Sequence, residues 1–132
     1  MTNFSLGAAS RAKLNTVDPL LQSVVEQALA ISDVDFSVVD GLRTKEQQAE
    51  NIKNGVSWSM DSKHLDQGNG FAEAVDIYPW VNGKTSHEPQ HYRKVARAMF
   101  QAAIDLEIQV EWGGFWVFND PEKIDAPHWE LR

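Results

Sequence analysis

The chain has 132 residues, no cysteine and a formal net charge of −7 at pH 7. This length is typical of one domain with its own core, and the lack of cysteine excludes disulfides, thiolate metal ligands and a cysteine nucleophile. The acidic balance argues against general attraction to nucleic acid or anionic membranes, and neither a signal peptide nor a membrane-spanning apolar run is recognisable.

The first half of the chain predicts two helices with a strand between them. A cap–proline pair followed by an apolar stripe at helical spacing predicts a helix over residues 18–29. Alternating apolar residues predict a short strand over 36–39. A threonine and a glutamine with the spacing of a capping box predict a second helix over 44–53. Residues 56–70 are polar and irregular, which predicts a loop.

The second half predicts three short strands around one long helix. Residues 74–78 form an apolar run that predicts a buried strand closed by Pro79. A helix is expected from about residue 89 to 106, because its apolar residues recur at helical spacing. Short strands are expected at 110–112 and 128–131. Helices and strands in this order predict an α+β fold.

One pair of histidines matches a familiar zinc-protease pattern. His87 and His91 lie four residues apart, with Glu88 directly after the first. That pattern requires a continuous helix, but Pro89 lies inside it. Ser86 is a natural helix cap, so the proline would fall in the first turn and His87 at a solvated helix start. We therefore expect an exposed polar helix start here and no metal site.

The other two histidines lie in more favourable contexts for a metal. His64 ends a polar loop, and His128 lies where a short strand could carry it inward. Asp76 lies within an apolar run, where a carboxylate is costly unless it is paired, hydrogen-bonded or bound to a metal. A salt bridge or a loop cap is the ordinary alternative for this residue. Two histidines and a carboxylate can bind one zinc ion and leave a coordination position open.

These residues resemble the zinc peptidases of the D-alanyl-D-alanine carboxypeptidase group, to which lysostaphin and the hedgehog signalling domain are related. They most resemble its small phage endolysins, the L-alanyl-D-glutamate peptidases. The family pattern is Ser-x-His-x-x-Gly-x-Ala-x-Asp, followed by a carboxylate, two residues and His. Residues 62–64, 74–76 and 125–128 match its parts in order. Residues 36–44 and 110–116 resemble the segments that precede each part.

The resemblance implies a metal centre and a general base. His64, Asp76 and His128 would bind Zn²⁺, with water at the fourth position. Asp125, three residues before the last ligand, would accept the proton of that water and then deliver a proton to the leaving amine. Glu130 is the rival base, because it would share a face with His128 on an extended strand. It could instead orient a ligand from the second coordination shell.

The resemblance also implies a fold and residues that contact the substrate. The fold would be a small antiparallel sheet with helices packed on one side, as in the hedgehog and DD-peptidase domains. Arg43 and Ser62 would bind the substrate, since a planar guanidinium suits a carboxylate. The ordinary alternative for Arg43 is an ion pair at the surface or at a helix cap. Trp112, Trp116 and Trp129 either wall the cleft or belong to the core.

One interval departs from the family pattern. The usual spacing from the first histidine to the aspartate is seven residues, whereas His64 and Asp76 are twelve apart. Residues 66–70 look like a five-residue insertion of turn-prone residues, which costs little entropy if the loop bulges outward. Asp66 and Glu73 then become rival ligands. Glu73 is expected to face the opposite side of the strand from Asp76.

The resemblance implies a peptidoglycan peptidase. We expect a single catalytic domain over residues 1–132, without a separate wall-binding domain, that hydrolyses the L-alanyl-D-glutamate bond of stem peptides during host lysis. We expect a monomer that binds no nucleic acid, does not insert into membranes, and stays in the host cytoplasm until it is released to the cell wall or periplasm. The alternatives are a D-Ala-D-Ala carboxypeptidase or dipeptidase, and a non-catalytic, zinc-stabilised binding module.

Overall fold

The computed structural model describes residues 4–55, 62–116 and 124–132. Its helices are α1 (Ala8–Leu14), α2 (Pro19–Ile31), α3 (Lys45–Lys53) and α4 (Pro89–Leu106). Its strands are β1 (Asp35–Asp40), β2 (Ala74–Val81), β3 (Lys84–Thr85), β4 (Val110–Trp112) and β5 (His128–Leu131), and a 3-10 turn spans Gly113–Phe115. The predicted α+β fold is confirmed. No helix among the described residues is long and apolar enough to cross a membrane.

The strands form one antiparallel sheet in the order β1-β2-β5-β4, and β3 forms a hairpin with the end of β2. The register places Asp40 opposite Asp76, and Asp76 opposite His128. Because side chains on neighbouring strands at paired positions share a face, three polar residues meet in a row across the sheet. An irregularity between Val38 and Asp40 interrupts the β1 ladder beside this row.

The core lies on the other face of the sheet. Val75 and Ile77 of β2 and Trp129 of β5 are buried and join the apolar faces of α2 and α4 in one cluster. They alternate along their strands with Asp76 and His128, so the two polar residues project from the opposite face. Burying an aromatic or branched side chain stabilises the fold by roughly 1.5–3 kcal/mol each. This core therefore fixes the sheet that carries the polar row.

The predicted helix starts at α2 and α3 are confirmed, whereas the predicted cap of α4 is wrong. The Asp18 carboxylate accepts a hydrogen bond from the Leu20 amide at 2.9 Å, and Thr44 forms the expected capping box. Glu88, not Ser86, is the cap of α4. The Ser86 hydroxyl instead accepts a hydrogen bond from the Glu88 amide at 3.2 Å, which fixes the turn that leads into the helix.

The prediction that Pro79 ends β2 is also wrong, since the strand continues to Val81. The backbone N–H of Ile77 points towards the chain that leads into β5 and bonds to the Pro127 carbonyl at 2.9 Å. The nitrogen of Pro79 points the same way, beyond the start of β5 at His128. The residue beside it there is Ser86, just past β3, whose amide donates to the Pro79 carbonyl at 2.8 Å. The ladder therefore lacks only the bond that a proline nitrogen cannot donate.

Candidate metal centre

Three side chains converge on the polar face of the sheet. His64, Asp76 and His128 each offer one ligand atom, and these atoms all lie within 4.8 Å of one another. The Asp76 Oδ1 atom is 3.2 Å from His64 Nε2 and 3.3 Å from His128 Nδ1, and the two nitrogens are 3.3 Å apart. Two nitrogens and one carboxylate oxygen that face a common point match the donor set of a zinc site with an open position.

Strand register and loop contacts explain why these residues meet. Asp76 and His128 are directly opposite each other on β2 and β5. His64 comes from the loop before β2, whose backbone is tied on both sides. The His64 carbonyl accepts from the Arg43 amide at 2.7 Å, and the Lys63 carbonyl accepts from the Glu73 amide at 2.8 Å. The loop is therefore anchored against β1 and β2.

The five extra residues close on themselves outside the centre. The Asp66 carboxylate accepts hydrogen bonds from the amides of Gly70 and Gly68, both at 2.8 Å. These backbone donors lower the pKa of the exposed Asp66 below its ordinary value. The loop bulges outward as expected, and neither Asp66 nor Glu73 belongs to the three-residue group.

Each histidine of the group is oriented by the ring nitrogen that faces away from it. His64 Nδ1 lies 2.8 Å from the Gly41 carbonyl, which requires that this nitrogen carry the proton. His128 Nε2 lies 2.8 Å from a Glu130 carboxylate oxygen. Metal-binding histidines generally donate their second N–H to a carbonyl or carboxylate. The lone pair of His64 Nε2, and that of His128 Nδ1 when this ring is neutral, are thereby directed at the common point.

Within the group, His128 and Asp76 stabilise the charged form of each other. Burial opposes protonation of His128, but hydrogen bonds to Asp76 and Glu130 outweigh it and raise the pKa of His128 to about 9. Burial alone would raise the pKa of Asp76. Hydrogen bonds and charges from His128 and His64 instead hold the pKa of that carboxyl far below its ordinary value. Asp76 is therefore ionised at any pH at which the protein would act.

Arg43 binds the second oxygen of Asp76. Its Nη2 atom is 3.3 Å from Asp76 Oδ2, its Nε atom 2.5 Å from Asp40, and its Nη1 atom 2.9 Å from the Gln48 side-chain oxygen. Gln48 is fully buried and Asp40 half-buried. Sequence reasoning missed both. The signal that could have identified Gln48 is its position, a polar residue on the first turn of α3, five residues after Arg43.

Asp125 lies in the turn that leads into β5. Its amide donates to the Gly113 carbonyl at 2.9 Å, and its carbonyl accepts from the His128 amide at 3.0 Å. Burial, and then repulsion by Asp76, raise the pKa of the Asp125 carboxyl, while His128, His64 and Arg43 act in the opposite direction. No hydrogen bond joins this carboxylate to the described part of the chain. Asp125 is thus a half-buried carboxylate near the group, and none of the described residues holds it in place by a hydrogen bond.

Glu130 is used differently. One oxygen binds His128, and the other lies 3.6 Å from Lys63 Nζ, whose ammonium also donates to the Leu131 carbonyl at 2.5 Å. Burial opposes ionisation of Glu130, but the hydrogen bond from His128 lowers the pKa of this carboxyl below its ordinary value. Ser62, predicted to bind substrate, accepts a hydrogen bond from the His64 amide at 3.2 Å.

The tryptophans divide between core and cleft. Trp129 and Trp112 are buried and stack with ring centroids 5.6 Å apart. The ring of Trp116 lies 4.9 Å from that of His128, and its indole N–H donates to Glu111 at 2.9 Å. Trp116 therefore borders the metal group on the β4 side.

The other histidine pair does not join the group. His91 Nδ1 lies 2.6 Å from the Ser86 hydroxyl and 3.2 Å from Glu88, and His87 Nδ1 lies 3.2 Å from the Tyr92 hydroxyl. Among residues 4–55, 62–116 and 124–132, neither ring is part of a three-ligand cluster. The expected polar helix start is confirmed.

Comparison with known proteins gives a consistent result. The model of the family described as phage L-alanyl-D-glutamate peptidase matches residues 2–132. An L-alanyl-D-glutamate peptidase of Escherichia phage T5 is 37% identical over 118 residues, which cover 86% of this chain and 82% of that protein. One of Listeria phage A118 is 29% identical over 99 residues, 75% of this chain but 31% of that longer protein.

A solved structure is similar over nearly the whole chain. The L-Ala D-Glu endopeptidase of Serratia marcescens superposes with a TM-score of 0.83 at 34% identity, covering 98% of this chain and 92% of that one.

Proposed function

The chain belongs to the phage L-alanyl-D-glutamate peptidase family, and from this premise we propose that it hydrolyses the L-alanyl-D-glutamate bond of peptidoglycan stem peptides. The observation that carries the proposal is the convergence of His64, Asp76 and His128. Beside them lies the carboxylate of Asp125, which forms no hydrogen bond with the described residues. A metallopeptidase requires a metal site and a nearby proton acceptor. Here three ligand atoms lie within 4.8 Å of one another, and the nearby carboxylate has a raised pKa.

We infer that the metal is Zn²⁺, bound by His64 Nε2, His128 Nδ1 and Asp76 Oδ1. The donor set supports this, because two imidazoles and a carboxylate suit zinc better than the all-oxygen shells preferred by Ca²⁺ and Mg²⁺. When bound at such a site, Zn²⁺ lowers the pKa of a water molecule and polarises a carbonyl group.

Asp125 is the proposed general base. Its carboxylate has no hydrogen bond to the described residues and can accept a proton from the attacking water, then return one to the leaving amine. Its raised pKa brings it closer to the range in which a base can also act as an acid. By contrast, one oxygen of Glu130 binds His128, and the other lies close to Lys63. The contacts of Glu130 support the positioning role, in which it holds His128.

Arg43 and Ser62 are proposed to serve both the metal and the substrate. Three of the five guanidinium N–H groups of Arg43 point to Asp40, Gln48 and Asp76. The contact between Arg43 Nη2 and Asp76 Oδ2 holds that oxygen, so that Asp76 Oδ1 faces the histidines. The remaining N–H groups of Arg43 are proposed to bind a substrate carboxylate, and Ser62 to contact the peptide next to His64.

We propose that the protein acts as a monomeric endolysin. It would remain in the host cytoplasm until released to the peptidoglycan. The net charge of −7 supports binding through the cleft rather than through general attraction to an anionic wall.

Mass spectrometry of peptidoglycan digested by the zinc-loaded protein tests the bond that is cleaved. Hydrolysis at the proposed bond creates a free amino terminus on D-glutamate and leaves L-alanine with a free carboxylate on the glycan. Release of D-alanine would instead identify the carboxypeptidase or dipeptidase. An unchanged peptidoglycan together with one bound zinc would identify the non-catalytic binding module.

A further inference from the structure

One aromatic residue on the metal-bearing face has no part in the proposed chemistry so far. Tyr78 follows Asp76 by two positions on β2, so the two side chains project from the same face of the sheet. The bond from the Ile77 amide to the Pro127 carbonyl keeps the chain before β5 alongside this part of β2. Continuing the register of Asp76 with His128 places residue 126 opposite Tyr78. Tyr78 therefore lies on the side of the metal group that carries Asp125.

Tyr78 and Tyr92 contact the same histidine, His87, in different ways. The ring of His87 packs edge-on against that of Tyr78, with centroids 5.3 Å apart and an interplanar angle of 76°. His87 in turn bonds to the hydroxyl of Tyr92, which is buried at the start of α4. The Tyr92 hydroxyl thus has a partner. The Tyr78 hydroxyl forms no hydrogen bond with the parts of the chain that the structure describes.

The position of Tyr78 on β2 suits a donor to the substrate. Its side chain projects from the same face as Asp76, and residue 126, the neighbour of Asp125, lies opposite it. A tyrosine hydroxyl ordinarily titrates at about pH 10 and is therefore a neutral donor at neutral pH. A substrate carbonyl bound between the metal group and Asp125 would lie over this part of the face.

We propose that the Tyr78 hydroxyl donates a hydrogen bond to the oxygen of the scissile carbonyl as negative charge develops on it. The proposal rests on the proposed function and names the protein group that shares this charge with the metal. No bond of Tyr78 forms or breaks, and its proton stays on the hydroxyl. A donor placed where charge develops acts mainly on kcat, because the charge is small in the bound substrate.

The first test compares two tyrosine hydroxyls in steady-state cleavage of a soluble stem peptide by the zinc-loaded protein. Tyr78→Phe should lower kcat about 10- to 100-fold and leave KM within about twofold, below the largest losses known for such donors because the metal shares the charge. Tyr92→Phe removes a buried hydroxyl that is bonded to His87, and should lower kcat by about threefold at most. Zinc content and thermal midpoint should match the wild type in both variants.

The second test measures binding and needs no turnover. A phosphinate peptide, whose tetrahedral anion replaces the scissile amide, should bind Tyr78→Phe about 10- to 100-fold more weakly than wild type by calorimetry. The cleaved product should bind both proteins equally. A wild-type kcat in Tyr78→Phe would overturn the proposal, as would a rise in KM with kcat unchanged. Failure of the proposed function is a separate result, because the wild type would then release no fragment with D-glutamate at its amino terminus.

Discussion

Each histidine of the metal group uses one ring nitrogen to contact the protein and presents the other to the centre. His64 is held by the Gly41 carbonyl and His128 by the Glu130 carboxylate, both at 2.8 Å. Asp76 is divided in the same way between the histidines and Arg43. Preorganisation of this kind reduces the reorganisation that metal binding requires.

The two histidine pairs make opposite predictions for metal content. His64→Ala or His128→Ala removes one of three ligands, so zinc per chain should fall from about one to near zero after dialysis. His87→Ala and His91→Ala remove rings outside the group and should leave zinc content unchanged. Elemental analysis by mass spectrometry measures the ratio. Loss of zinc in His87→Ala with retention in His64→Ala would show that the wrong pair has been assigned.

Asp125 should destabilise the metal-free fold when it is ionised. Its folded-state pKa lies above the ordinary value of 3.8, so the unfolded chain ionises more readily than the native one. Asp125→Asn should therefore raise the thermal midpoint of the chelator-treated protein at neutral pH. The gain should shrink as the pH falls and vanish below about 4, where both states are protonated. A lower midpoint for the variant at neutral pH would contradict the raised pKa.

At the scale of elements, the centre depends on the pairing of β2 with β5 and on the turn before β5. Asp125 is held against Gly113, the first residue after β4, through a backbone hydrogen bond of 2.9 Å. A Cβ atom at Gly113 would lie only 2.3 Å from the Asp125 carbonyl oxygen. The close approach of these two backbones fixes Asp125, the proposed base, relative to the sheet.

Gly113→Ala should therefore impair cleavage more than metal binding. The added methyl group must displace the backbone of Asp125, and a shift of about 1 Å can cost on the order of 100-fold in rate. Zinc content should fall less, because His64 and Asp76 lie on other segments and only His128 is linked to this contact, through its amide bond to the Asp125 carbonyl. Gly7→Ala is the matched control, because a Cβ there meets nothing within 4 Å. Equal kcat values for the two variants would show that Asp125 does not depend on this contact.

The long, strongly patterned elements were predictable from the sequence. The stripe of α2, the capping box of α3 and the apolar run around Asp76 each identify their element, because local chemistry and burial agree there. The continuation of β2 through Pro79 and the hairpin with β3 were not predictable. They depend on where β5 begins, which is a tertiary property.

The candidate site was predictable to a different extent. The ligand group could be inferred because a carboxylate in an apolar strand requires a partner and because the motifs around it resemble a known family pattern. The roles of Gly41, Gln48 and Tyr78 could not, since they depend on contacts between segments far apart in the chain. Part of the predicted loop, residues 56–61, lies outside the described residues.

At the scale of the whole molecule, the metal group joins distant parts of one core. His64 comes from the loop before β2, Asp76 from the middle of the sheet and His128 from its last strand. A metal that binds all three is bound by the folded state and not by the unfolded chain. It should therefore stabilise the fold in proportion to its affinity.

Chelation should lower the thermal midpoint of the wild type. Zinc present at about 100 times its Kd contributes about 2.7 kcal/mol. For a chain of this size that corresponds to roughly 10 °C, at roughly 3–5 °C per kcal/mol. Differential scanning calorimetry with EDTA, followed by added zinc, measures the loss and its recovery. His128→Ala should show no response to either treatment, and an unresponsive wild type would argue against a metal bound by the folded state.

The most direct measurement is the rate at which the zinc-loaded Asp125→Asn protein cleaves a stem peptide. We expect Asp125→Asn to bind one zinc per chain and to keep its fold. Its kcat should be lower than that of the wild type by about 10²–10⁴-fold, the usual contribution of a general base. Glu130→Gln should retain far more activity when its zinc site is filled. Cleavage by zinc-loaded Asp125→Asn at the wild-type rate would contradict the assignment of Asp125 as the base that works with the three-residue metal centre.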